Sequence, residues 1–200
     1  MKKKIFITGA TGFIGRELIR KISDKYDIQC FVRKDSNLEN LKRFNLKFVF
    51  GDLMDKKSIS DSLRNTDVVI HLATSHQKGK EDINLIASKN LLEVCKQKKV
   101  KKIVFVSSMA ANRKLLDNYG RTKLEIEEII KKSELNYIIL RPSVIYSNNN
   151  LSLIGSTLKS VPFIIPIIGS GNYKMNPVYI EDVVNSIEAS IDKQKNKTYD

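Results

Sequence analysis

This chain of 200 residues has no tryptophan and only two cysteines and two histidines. Cys30 and Cys95 have no metal-ligating neighbours, and His71 and His76 stand apart from them, so the sequence offers neither a disulfide framework nor a metal site. Both thiols read as small buried apolar groups in a reducing compartment. No apolar run reaches the ~18 residues of a membrane span. The most apolar stretch, Val161 to Ile168, is short and broken by Pro162 and Pro166. The basic start Met1-Lys2-Lys3-Lys4 leads into apolar residues that stop at Thr8-Gly9, with no small-residue cleavage pattern, which argues against a secretion signal and for a soluble cytoplasmic protein. Acidic residues are outnumbered, 22 against 35 basic ones, for a net charge of +13. Aromatic residues do not interleave with the lysines as stacking platforms would, which excludes a nucleic-acid module and leaves a solvated lysine surface. A lesser use for that charge is steering an anionic ligand to its cleft.

What is present begins at the amino terminus. The β-branched run Ile5-Phe6-Ile7 leads into Thr8-Gly9-Ala10-Thr11-Gly12-Phe13-Ile14-Gly15, and Ile14, Leu18 and Ile22 then recur every fourth residue. A strand, a glycine turn and a helix in this order bring backbone N–H groups to a pyrophosphate. Gly9 permits the tight turn, Gly12 the approach of phosphates, and Gly15 close packing of helix on strand. Cofactor contacts are therefore expected from Gly9, Thr11, Gly12, Phe13, Ile14 and Gly15.

Further along, short apolar runs alternate with helix-period segments. Strands are predicted at Lys4–Thr8, Ile28–Arg33, Lys47–Phe50, Asp67–Leu72, Lys102–Ser107 and Tyr137–Arg141. Helix faces are predicted from Ile83, Ile86, Ala87, Leu91, Val94 and Cys95, and from Ile126, Ile129 and Ile130. This alternation implies an α/β fold, a doubly wound parallel sheet whose ligands bind beyond the carboxyl ends of the strands. Asn148-Asn149-Asn150 marks the end of the core, giving a nucleotide-binding domain over 1–147 and a small substrate lobe over 148–200.

Candidate site residues sit at those strand ends. Arg33 takes the first polar place after the apolar run of the second strand and Lys34 follows, which favours NADP through a guanidinium–phosphate contact; Asp35 keeps NAD open through its ribose. Asp52, with Leu53 after it, is placed to cap the following helix. His71 reads as a packed residue rather than a catalyst. Tyr119 and Lys123, four apart on one helix face, would let an ammonium lower a phenol's pKa towards working pH. Ser108, at the end of the preceding strand, would hold a substrate oxygen, with Ser107 the alternative in case of a register shift.

Together these segments, from Lys4 to about Asp182, resemble the short-chain dehydrogenase/reductase superfamily in its extended and atypical branches. Those branches include the nucleotide-sugar epimerases and dehydratases and the accessory NAD(P)H-binding subunit of respiratory complex I. The resemblance implies a Rossmann fold, with Asp52 and Leu53 on the adenine and Leu72, Ala73 and Thr74 along the ribose and pyrophosphate. It implies Tyr119 as proton carrier, Lys123 on the nicotinamide ribose and Ser108 orienting the substrate. In Arg141-Pro142-Ser143-Val144-Ile145-Tyr146 it implies that the backbone holds the carboxamide, with Pro142 fixing the turn and Val144 packing on the ring. Asp182, in Val178-Tyr179-Ile180-Glu181-Asp182-Val183, opens a late helix. The implied activity is an NAD(P)-dependent oxidoreductase or epimerase/dehydratase acting at a carbinol or carbonyl carbon, a nucleotide sugar among its substrates, as monomer or homodimer. The alternative is a non-catalytic NADP(H)-binding scaffold or redox-sensing subunit.

Two features depart from the epimerase pattern. Tyr119 comes only eleven positions after Ser108, which shortens a loop that helps to form a sugar pocket and looks more like the atypical branch. After the late helix the chain stops at Lys197-Thr198-Tyr199-Asp200, where the resemblance implies a further strand, so the substrate lobe is expected to be either incomplete or unusual.

Overall fold

The computed structural model describes residues 2–75, 83–112, 117–148, 176–193 and 196–200. His76 and the apolar stretch Val161 to Ile168 lie outside them. Strands β1 (Lys4–Thr8), β2 (Asp27–Val32), β3 (Lys47–Phe50), β4 (Val68–His71), β5 (Lys102–Val106), β6 (Asn136–Leu140) and β9 (Lys197–Tyr199) form one sheet in the order β3-β2-β1-β4-β5-β6-β9. Every pairing in it is parallel. Two short strands, β7 (Ile145–Tyr146) and β8 (Val178–Tyr179), pair separately.

Side chains alternate across the central strands and build two cores. Ile5, Ile7, Ile70, Val104 and Ile138 point to a face covered by α1 (Phe13–Ile22) and α5 (Ile180–Asp192), through Leu18, Ile19, Ile22, Val183, Ile187 and Ile191. Phe6, Val69, Ile103, Phe105 and Ile139 point to the other face. There α2 (Lys56–Ser62), α3 (Ile83–Gln97) and α4 (Asn118–Lys131) supply Ile59, Leu91, Cys95, Ile126 and Ile130. Burial on both faces explains the near-continuous apolar strands. The expected doubly wound α/β sheet is what forms, with strand ends displaced by about one residue: β2 stops at Val32 and β5 at Val106.

Residues 180–192 and 197–199, placed by the sequence reading in a lobe starting at 148, are built into these layers. Helix α5 packs against α1, and β9 extends the sheet beyond β6. Lys102, almost fully buried at the start of β5, donates to the carbonyls of Ser190 (2.5 Å) and Lys193 and so closes the end of α5. Among the described residues, no helix is long and apolar enough to cross a membrane.

Candidate functional site

A cleft of about 680 Å3 opens at the carboxyl ends of the strands. Every expected cofactor residue from the glycine loop lines it: Gly9, Thr11, Gly12, Phe13, Ile14 and Gly15. So do Arg33, Asp52, Leu53, Leu72, Ala73 and Thr74. Gly9 has φ +75°, and a Cβ there would lie 2.6 Å from the Ala73 nitrogen. A Cβ on Gly15 would lie 2.3 Å from the Gly9 carbonyl oxygen, so only glycine lets α1 start this close to the turn. Gly12 opens α1 with no side-chain cap and no acidic residue in the first turn. The first-turn N–H groups, with the positive end of the helix dipole, therefore face the cleft unneutralised, as a pyrophosphate requires. The chain thus fits a dinucleotide.

At the far end, Arg33 is largely exposed, its Nε 3.6 Å from Asp35. Ser36 lines the cleft beside it and accepts a hydrogen bond from the Arg33 backbone N–H (3.1 Å). Lys34, the second expected cation, is exposed and does not line this cleft. Asp52 does not cap α2. Its carboxylate accepts from the Met54 N–H (2.9 Å), and the cap is Asp55, which accepts from the Lys57 N–H (2.9 Å). Ser36, Ser75 and Asn84 also line the cleft, with no motif in the sequence to mark them, and so does Ile145, next to the expected Val144.

The Ser, Tyr and Lys set gathers at the end of β5. Asp117 caps α4 by accepting from the Gly120 N–H (2.6 Å), and Gly120 lets the first turn press on the Ala110 carbonyl, which a Cβ would approach to 2.5 Å. This brings the Tyr119 phenol beside Ser108, while Tyr119 stays 41% exposed and open to a ligand. Ser107 is ruled out of that role: its hydroxyl is buried and donates to Glu127 Oε1 at 2.5 Å.

Lys123 is not where the phenol-tuning expectation put it. It is 5% exposed, its Nζ donates to the Val106 carbonyl (3.2 Å), and it sits 4.9 Å from the Phe105 ring centroid and 5.7 Å from that of Tyr119. Burial lowers its pKa to about 8, against the opposing pull of Glu127. The Tyr119 phenol lies above its ordinary value rather than below it, because burial disfavours the phenolate; Ser108 counters that and Asp117 adds to it. The ammonium points into the sheet end instead of at the phenol oxygen, so its expected tuning effect is missing here.

Pro142 and Val144 lie apart from the main cleft. Pro142 lines a second cavity of about 460 Å3 with Met109, Arg141, Val178 and Asp182. The Val144 carbonyl accepts from the Val178 N–H (2.9 Å), and Ile145 next to it reaches the main cleft. Asp182 stands in the first turn of α5, as expected of a helix-opening charge. Glu127, unmarked by any motif, is buried and accepts from two nitrogens of Arg141, whose third nitrogen pairs with Asp200. The available signal was a glutamate four residues after Lys123, on the apolar face of α4 between Ile126 and Ile130.

A protein family described as NAD(P)H-binding matches residues 9–159. The photosystem II assembly factor Ycf39 of Cyanophora paradoxa is 31% identical over 141 residues, covering 68% of this chain and 44% of that protein. The UDP-glucose 4-epimerase of Vibrio cholerae is 28% identical, covering 98% of this chain and 68% of the relative. This chain thus spans between under half and about two thirds of these relatives' lengths. Among solved structures, the UDP-glucose 4-epimerase of Thermotoga maritima with UDP-glucose superposes with a TM-score of 0.81 at 23% identity, covering 98% of this chain and 75% of that one. With its glycine cradle and parallel sheet, the chain belongs to the NAD(P)H-binding family, in the extended and atypical part of the short-chain dehydrogenase/reductase superfamily.

Proposed function

We propose that this chain is an NAD(P)-dependent oxidoreductase or epimerase/dehydratase acting at a carbinol or carbonyl carbon, with nucleotide sugars as the substrate class. The observation that carries this reading is the gathering of Ser108, the exposed Tyr119 and the buried Lys123, 5.7 Å from the Tyr119 ring centroid, at the carboxyl end of β5. The nicotinamide, when bound, supplies or accepts hydride. Gly9 to Gly15 would hold the pyrophosphate; Arg33, Asp52 and Leu53 the adenosine end; Leu72 to Thr74 and Lys123 the riboses; Pro142 and Val144 the carboxamide end. Ser108 would orient the substrate oxygen, and Tyr119 Oη would carry the proton. A raised phenol pKa suits the acid role, because the proton is present at neutral pH. The likeness to the UDP-glucose 4-epimerase of Vibrio cholerae supports the substrate class.

A second reading is a non-catalytic NADP(H)-binding scaffold. It is favoured by the 31% identity to an assembly factor and by the short Ser108–Tyr119 loop.

The test is turnover of NAD(P)H against UDP-sugars, ketones and aldehydes, run beside Tyr119→Phe. Loss of activity by about 100-fold or more with cofactor binding intact supports the enzyme. Turnover that survives without the phenol sinks the mechanism, and tight NADPH binding with no turnover selects the scaffold. The preference for NADP rests on Arg33. Arg33→Asp should weaken NADPH binding by about one to two orders of magnitude and spare NADH. Unchanged NADPH affinity would reduce Arg33 to surface charge.

A further inference from the structure

His71 ends β4 nearly inaccessible to solvent. Its Nδ1 lies 2.7 Å from Thr8 Oγ1 and its Nε2 3.0 Å from Ser88 Oγ. The directions of these bonds can be worked out. The Ser88 hydroxyl has one proton, which it donates to the Asn84 carbonyl (2.7 Å). Ser88 must therefore accept from His71, which puts the imidazole proton on Nε2. Nδ1 is left bare and accepts from the Thr8 hydroxyl, whose oxygen in turn receives the Ala73 N–H at a long 3.4 Å. The Asn84 side chain closes the circuit, with Oδ1 accepting from the Ser75 N–H (2.6 Å) and Nδ2 donating to the Ser75 carbonyl (2.9 Å).

This circuit encloses the cleft wall Leu72 to Ser75 and ties it at one end to β1 and at the other to α3. We propose that His71, as its Nε2–H tautomer, is a positioning residue of the dinucleotide cleft, fixing the wall Leu72 to Ser75 against the glycine turn. The spacing it sets is tight: Gly9 already lies so near the Ala73 amide that no side chain fits between them. The groups facing the ring are Thr8 from β1, Ser88 from α3, Phe105 from β5 (stacked at 5.6 Å) and the charge of Lys123 from α4. Among these described residues, a cation and no carboxylate faces the ring, so an imidazolium has no counter-charge. Burial and Lys123 hold the ring's pKa down to about 3, in accord with a fixed tautomer.

The inference rests on the dinucleotide reading of the cleft, and its test separates the two. Imidazole 15N shifts of the intact chain should show Nε2–H at His71, unchanged between pH 8 and 5.5. By calorimetry, Thr8→Val and His71→Leu should each weaken NADPH binding at least tenfold, the double variant no further, and His71→Gln, which keeps one acceptor and one donor, should stay within about threefold of wild type. An Nδ1–H tautomer or proton uptake in that range overturns the inference. So do variants that bind NADPH within twofold of wild type, even if their unfolding midpoints fall, since that marks a purely structural residue. If His71→Leu does not fold, Thr8→Val and the tautomer decide. If wild type binds neither NADPH nor NADH, the dinucleotide reading fails and takes this inference with it.

Discussion

Arg141 meets Glu127 side-on, its Nε 2.9 Å from Oε1 and its terminal nitrogen Nη2 2.6 Å from Oε2. The carboxylate is fully buried, and its other partners are the Ser107 hydroxyl and the Lys131 ammonium at 3.8 Å. The guanidinium's pKa rises through this fork, with Asp200 assisting. The pair thus ties α4, which carries Tyr119 and Lys123, to the ends of β5 and β6. Removing one member of a buried pair strands the other, so Glu127→Ala should cost about 3–5 kcal/mol in urea unfolding. The double variant Glu127→Ala with Arg141→Met should recover part of that loss, because no charge is left behind. A double variant as unstable as the sum of its singles would mean that the two residues act independently.

The glycines of the turn should separate fold from cofactor. In Gly15→Ala the new methyl group meets the backbone carbonyl oxygens of Gly9 and Ala10 at 2.3 and 2.6 Å, and stability should fall by about 2 kcal/mol or more. In Gly12→Ala it meets only the Gly9 oxygen, at 3.1 Å. That variant should unfold near the wild-type midpoint while losing tenfold or more in NADPH affinity. Equal unfolding midpoints for the two variants would contradict the packing argument.

Lys123 should prove to be kept at the expense of stability. Its folded pKa, about 8, is below the ordinary 10.5, so folding must pay to keep the ammonium charged, in full below pH 8 and fading as pH rises towards 10.5. Lys123→Met removes that cost and should stabilise the chain at pH 7 by about 2–3 kcal/mol. The same variant should bind NADPH more weakly, the trade-off expected of a functional residue. A destabilised Lys123→Met would show that the Val106 and Phe105 contacts outweigh desolvation.

His71 gives a pH dependence with a definite sign. Folded, it stays neutral down to about pH 3; unfolded, it takes up a proton below its ordinary 6.5. The unfolded state therefore binds more protons, and stability is lost as pH falls below 6.5. Between pH 7 and 5 the wild type should lose about 2 kcal/mol that His71→Gln does not, read from urea unfolding at both pH values. Parallel losses in the two proteins would place the acid sensitivity elsewhere.

The sheet was legible in the sequence because burial on both faces forces runs such as Ile103-Val104-Phe105-Val106, and the glycine cradle because its residues are consecutive. Helix α2 was not, since Lys56-Lys57-Ser58-Ile59-Ser60-Asp61-Ser62 buries one apolar side chain and shows no period. The choice between Ser107 and Ser108 depended on where β5 ends: one residue of pleat sends one hydroxyl to Glu127 and leaves the other on the side of Tyr119.

The sequence by itself determined what is local: a strand, a turn that only glycine can make, a helix, and the alternation that winds a parallel sheet. Tertiary structure decided what those elements aim at each other. It buried Lys123 against Val106, joined Glu127 to Arg141 across two strand ends, closed a ring through His71, and drew the last strand into the sheet. Backbone preferences and apolar periodicity are written residue by residue, whereas the partner of a buried charge is set by the register of strands far apart in the chain.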